Sequence, residues 1–121
     1  VSAPTWEQLR ELMLAPTPPV TATVYAIGRD PASIDTGAAD PGPPWALAWV
    51  DPSRLAALPG TAGRIVGTDT DGGRDRWIAE VTGLKGKAPV KVWVDAELGS
   101  IVRLERMDDP APLVMIEGLT P

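Results

Sequence analysis

The 121-residue chain contains no cysteine and no histidine. Without cysteine there is no disulfide, no thiol nucleophile and no thiolate metal site. Without histidine there is no imidazole base and no histidine-bound zinc or iron. Serine triads, cysteine proteases, zinc hydrolases with histidine ligands and facial-triad oxygenases are therefore excluded. Phe is also absent, so the core has to be built from Val, Leu, Ile, Ala and five Trp. Positive charge is in deficit, with 11 Lys and Arg against 16 Asp and Glu, a net charge of −5. That balance argues against a nucleic-acid surface, which needs clustered cations opposite phosphates. No apolar run approaches the ~20 residues needed to span a bilayer, so the chain is not expected to be transmembrane. No cofactor or metal is expected either.

What remains is ordinary globular material. Hydrophobic residues make up 44% of the chain, enough to oppose wholesale disorder. The length fits one domain over residues 1–121, able to withdraw roughly two-thirds of its unfolded surface from water. Val1 stands where an initiator Met is missing, and no signal-peptide pattern follows it. Either a mature exported protein or a domain taken from a longer chain fits that start. Abundant Ala, Gly, Pro, Arg and Asp with scarce Lys, Ile and Asn is the composition of a GC-rich bacterial genome.

One helix is predicted near the N-terminus. Thr5 and Gln8 have capping-box spacing, Trp6, Leu9, Leu12 and Met13 form one stripe, and Pro16 stops the run. Residues 20–27 read as an alternating, β-branched strand, and residues 28–44, rich in Pro, Gly, Ala and Asp, as a long loop. Residues 45–50 read as a strand with apolar side chains on both faces, Trp45, Leu47 and Trp49 against Ala46, Ala48 and Val50. Asp51-Pro52-Ser53 starts a short helical turn through Leu58. Residues 63–68 and 77–82 form a hairpin with a polar tip from Asp69 to Asp75, and residues 113–117 a last apolar strand.

The most regular segment runs from Arg76 to Arg106. Val90, Val92 and Val94 alternate with Lys91, Trp93 and Asp95. Asp95 then opens a turn for which Gly99 offers positive φ, and the chain returns with Val102 and Leu104 opposite Arg103 and Glu105 in parity. The expected fold is α+β: a meander of about seven antiparallel strands packed on one N-terminal helix.

The order of Trp77, a glycine-bearing loop, then Trp93, Val94, Asp95, Gly99, Val102 and Arg103 resembles the C-terminal half of the LolA/LolB/LppX-like envelope lipoprotein-carrier superfamily. Actinobacterial lipoprotein-sorting and sigma-regulator-like members carry similar hairpins, and Asp51-Pro52-Ser53-Arg54 looks like the family's earlier strand-and-Pro segment. The resemblance implies a curled, half-barrel-like sheet whose concave face holds an apolar cavity under a helical lid. It also implies an extracytoplasmic location.

Three clusters invite chemistry. Asp69, Asp71 and Glu80 have partial calcium-loop spacing with Asp75 nearby, but Arg74 occupies the position where such a loop requires glycine. Gly83-Leu84-Lys85-Gly86-Lys87 has glycines and cations without phosphate-loop spacing, and precedes a strand rather than a helix. Arg74, Arg76, Lys85, Lys87, Lys91 and Arg103 can form a basic strip or pair with Glu80, Asp95 and Glu105. Trp93 falls on the polar parity, as structural cover or as part of an interface, with Trp77 near it if the registers match.

The expected function is non-enzymatic: a cell-envelope domain that holds an apolar or lipid-like ligand on one face of the sheet. The alternative is a structural or protein-interaction module of a larger regulatory protein. The candidate ligand-binding residues are Trp45, Leu47, Trp49, Tyr25, Trp6 and Met13. The expected partners are a lipid or apolar small molecule, or a protein.

Overall fold

The computed structural model describes residues 3–15, 18–55, 58–84 and 89–120. Helix α1 spans Trp6–Leu14, and the capping box read from the sequence closes its start: Gln8 N–H donates to Thr5 Oγ1 (3.2 Å), and Thr5 N–H to Gln8 Oε1 (2.9 Å). Its buried face is Trp6, Leu9 and Met13. The Thr61 carbonyl anchors it, accepting from Arg10 Nη1 at 2.6 Å and Trp6 Nε1 at 3.4 Å.

Seven antiparallel strands make one curled, unclosed sheet. They are β1 (Thr21–Ala26), β2 (Ala32–Asp35), β3 (Ala62–Asp71), β4 (Arg74–Thr82), β5 (Val90–Asp95), β6 (Ile101–Arg106) and β7 (Asp109–Thr120). Their order is β2-β1-β7-β6-β5-β4-β3. The meander therefore holds from β3 to β7, and the β1–β2 hairpin then joins at β7 through a long-range pairing, with Val24 opposite Ile116. Register shifts in four of the six strand pairs mark bulges, which bend strands and add twist, so the sheet curls.

Residues 45–50 correct the expected strand: Pro44–Val50 is helix α2. A short all-apolar run has no period that separates strand from helix. The decisive signal is Pro44 at the first helical turn, where its fixed φ and missing N–H cost nothing. Helix α2 buries Ala46, Leu47, Trp49 and Val50, a stripe at helical spacing. The seventh strand is instead β2, inside the stretch read as loop. The polar tip shrinks as well: Asp69 and Asp71 belong to β3, and the turn is Gly72-Gly73, both at positive φ.

Both helices lie on one face of the sheet, called inner here. Helix α1 packs near β3, and α2 rests over β1, β2 and β6. Ser100 Oγ donates to the Val50 carbonyl at 2.6 Å, tying α2 to the β5–β6 hairpin. Gly99, at φ +76°, allows α1 to approach, since a Cβ there would lie 2.9 Å from the Leu12 carbonyl oxygen. Trp6, Leu9 and Met13 of the helical stripe and Val92, Val94, Val102 and Leu104 of the alternating hairpin are all buried. Val102, however, is the unpaired residue of a bulge, and Ile101 takes the position opposite Val94.

Candidate functional site

Antiparallel pairing brings the end of β1, the beginning of β5, the end of β6 and the first half of β7 to one end of the sheet. Ala26 lies opposite Val114, Leu104 opposite Val114, and Val90 opposite Arg106. Beneath α2 these strand ends enclose an open cleft of about 690 Å³. Its floor is Trp49, Val90, Leu104 and Val114, all buried. Its rim is Ile27, Pro89, Arg106, Met107, Asp108 and Leu113. Ile27 and Met107 are 71% and 46% exposed, two of only four large apolar side chains that are exposed among the described residues. The volume falls within the ~300–1,000 Å³ of typical ligand pockets, and the lining is mostly apolar, as such sites are.

Of the six candidates read from the sequence, only Trp49 reaches this cleft. Leu47, Trp6 and Met13 are packed in the core at 4%, 3% and 0% exposure. Trp45 is half-buried with the Arg29 guanidinium 4.9 Å from its ring centre. Tyr25 lies opposite Met115, in a row that continues through Arg103, Trp93 and Ile78 on the outer face of the sheet. The residues missed are Ile27, Val90, Leu104, Met107, Leu113 and Val114. Ile27 and Met107 both lie in turns, but single exposed apolar side chains are ordinary, so nothing local marks the two as partners across one cleft.

The outer face is electrostatically closed. One row across the strands reads Arg64, Glu80, Lys91, Glu105, alternating in sign. Arg64 Nη2 reaches Glu80 at 2.7 Å, and Arg103 pairs with Glu105. Trp93 is only 8% exposed, because Lys91 and Arg103 lie 5.5 and 5.3 Å from its ring centre. Trp77 does not approach it: Trp77 stands opposite Val94, so its side chain takes the other face. The cations of the expected strip are thus spent on ion pairs and on Trp93, while Lys85 and Lys87, with the glycine-and-cation loop between Leu84 and Pro89, lie outside the described residues.

A second cleft of about 460 Å³ brings the charged Asp71, Arg74, Arg76, Asp95 and Glu117 beside the apolar Val102, Ile116 and Leu119. Its cations are committed. Arg76 grips Asp69 at 2.6 and 2.7 Å, and Arg74 grips Asp95 at 2.7 and 3.1 Å. Asp95 is 1% exposed and also accepts the N–H groups of Glu97 (3.0 Å) and Leu98 (2.8 Å). Burial pushes its carboxyl upward, but Arg74 and the two N–H groups outweigh burial and hold it below the ordinary carboxylate value. Of the carboxylates with calcium-loop spacing, Asp69 and Asp71 both face Arg76, at 2.6 and 3.8 Å, and Glu80 pairs with Arg64, while neighbouring Asp75 accepts from Thr70. Among the described residues no three acidic side chains converge as a metal site. No described helix is long and apolar enough to cross a membrane.

Comparison with known proteins finds no matching family model, no matching curated protein and no matching solved structure. The class of the protein is accordingly given by its architecture alone: a curled seven-stranded antiparallel sheet with helices on its inner face and an apolar cleft at one end.

Proposed function

We propose that the chain is a non-enzymatic binding domain that holds an apolar or lipid-like ligand in the cleft beneath Trp49. The observation that carries this reading is the coincidence of a buried apolar floor with two exposed apolar side chains, Ile27 and Met107, at its rim. Exposed apolar surface of that kind is costly in water and marks contact with something apolar. Among the described residues of the lining, Arg106 and Asp108 are the only titratable side chains, and none of them supplies a hydroxyl, an amine or a carboxylate–carboxylate pair for bond-making. An acyl chain entering the cleft gains about 0.8 kcal/mol per methylene withdrawn from water. The curled sheet with helices on its inner face also agrees with the lipoprotein-carrier resemblance of the β5–β6 hairpin. An extracytoplasmic, cell-envelope location is part of this proposal and rests on that resemblance.

The alternative, a protein-interaction module of a larger regulatory protein, draws support from the helices, whose Trp6, Leu9, Met13 and Leu47 fill much of the inner face. It lacks an exposed tryptophan patch: Trp6, Trp49 and Trp93 are buried, and Trp45 and Trp77 are half-buried. Tryptophan fluorescence on titration with a fatty-acyl probe separates the two readings. The ligand reading expects a saturable change that Trp49→Ala weakens more than Trp93→Ala. No response, or a greater loss from the Trp93 variant, rejects it.

A further inference from the structure

We propose that the ligand of this cleft carries a zwitterionic head group, a phosphate held by Arg106 and an ammonium held by Asp108. The inference rests on the reading of the cleft as a site for an apolar chain and specifies the head that such a chain bears. Arg10 binds the Thr61 carbonyl, Arg29 covers Trp45, Lys91 covers Trp93, and Arg54, Arg64, Arg74, Arg76 and Arg103 are in ion pairs. Among the described residues Arg106 alone has neither a hydrogen bond, an ion pair nor an aromatic partner, and it stands on the rim of the apolar cleft.

A purely anionic head fits that cation poorly, because acids stand beside it. Asp108 lines the same rim two residues on, and Asp109 lies opposite Arg106 in register. Asp109 Oδ1 is occupied by the Ala111 N–H at 3.0 Å, whereas Asp108 has no partner among the described residues. Arg106 and Asp108 flank Met107 without pairing with each other, so one rim presents two separate, uncommitted charges of opposite sign above an apolar floor. A chain entering past Met107 and Ile27 brings its head to both. A phosphate accepts from the guanidinium, and an ammonium sits against the carboxylate. Both contacts are exposed to solvent, so each is worth about three-fold in affinity and the two together about ten-fold.

Four amphiphiles of one chain length test this, each below its micelle concentration: dodecylphosphocholine, dodecyl phosphate, dodecyltrimethylammonium and uncharged dodecyl maltoside, titrated calorimetrically at neutral pH. The proposal expects dodecylphosphocholine to bind about ten-fold tighter than the maltoside and tighter than either singly charged amphiphile. Arg106→Gln and Asp108→Asn should each weaken the phosphocholine about three-fold, and each should weaken it more than it weakens the maltoside. Equal binding of all four, or tightest binding of dodecyl phosphate, overturns the head-group assignment while leaving the apolar cleft intact. No binding by any of the four overturns the cleft reading and this inference with it.

Discussion

Replacing Asp95 with Asn removes one charge from a site whose other atoms stay in place. Oδ1 accepts from Glu97 N–H, Leu98 N–H and Arg74 Nη2, and Oδ2 from Arg74 Nε, so every partner is a donor. The amide NH₂ of Asn therefore meets a donor in either orientation. Breaking a buried ion pair costs about 3–5 kcal/mol. The Arg74 side chain is 23% exposed and also reaches Glu97 at 3.5 Å, so its stranded charge is partly relieved. The expected loss is about 2–3 kcal/mol at neutral pH. At roughly 2.1 cal/mol/K of unfolding entropy per residue, that lowers Tm by about 8–12 °C. The pH dependence has a definite sign. The folded-state pKa of Asp95 lies below its unfolded value of about 3.9, so its stabilisation is fully present above that value and disappears as pH falls through the folded one. Urea unfolding of wild type and Asp95→Asn at a series of pH values should show two stabilities that converge in acid. A deficit below about 1 kcal/mol at pH 7, or one that does not shrink on acidification, refutes this account of the turn.

Two further substitutions probe the packing. Gly99→Ala combines φ +76° with a Cβ 2.9 Å from the Leu12 carbonyl oxygen, whereas Gly72→Ala has φ +60° and open space. Thermal melts should therefore show a loss of about 1–2 kcal/mol at Gly72 and a clearly larger one at Gly99; equal losses exclude the close approach of α1. Leu104→Ala removes a side chain that is 2% exposed and forms the cleft floor, at an expected 2–3 kcal/mol, the low end for buried leucine because the void opens to solvent. An unchanged denaturation midpoint rejects Leu104 as core.

Local patterns were legible in the sequence, and long-range ones were not. The alternation of residues 90–95 and the turn chemistry of Asp95 and Gly99 specify the β5–β6 hairpin directly, since period 2 and positive φ are local properties. The capping box of Thr5 and Gln8 is equally local. Large residues at 45, 47 and 49 mimic the alternation of a strand, whereas the start of helix α2 lies in the Pro-Pro pair before them, within the loop-like composition of residues 28–44. The strand count came out at seven although one member was wrong, β2 standing in for residues 45–50. The pairing of β1 with β7 joins residues about ninety positions apart, as Thr23 and Glu117 do, and no local pattern encodes it. The cleft depends on that pairing, since Ile27 and Val114 meet only once β1 has joined β7. Of the six candidates Trp49 alone lines the cleft, and it does so from helix α2 rather than from the strand expected there.

The central claim is that the cleft beneath Trp49 takes an apolar chain. Its most direct test is backbone and methyl chemical-shift mapping of the protein titrated with dodecylphosphocholine below its micelle concentration. The account predicts saturable shifts concentrated at Ile27, Val90, Leu104, Met107 and Val114, with the indole of Trp49 among them. Shifts gathered instead on the outer-face row of Tyr25, Met115 and Trp93, or no saturable shifts at all, contradict it.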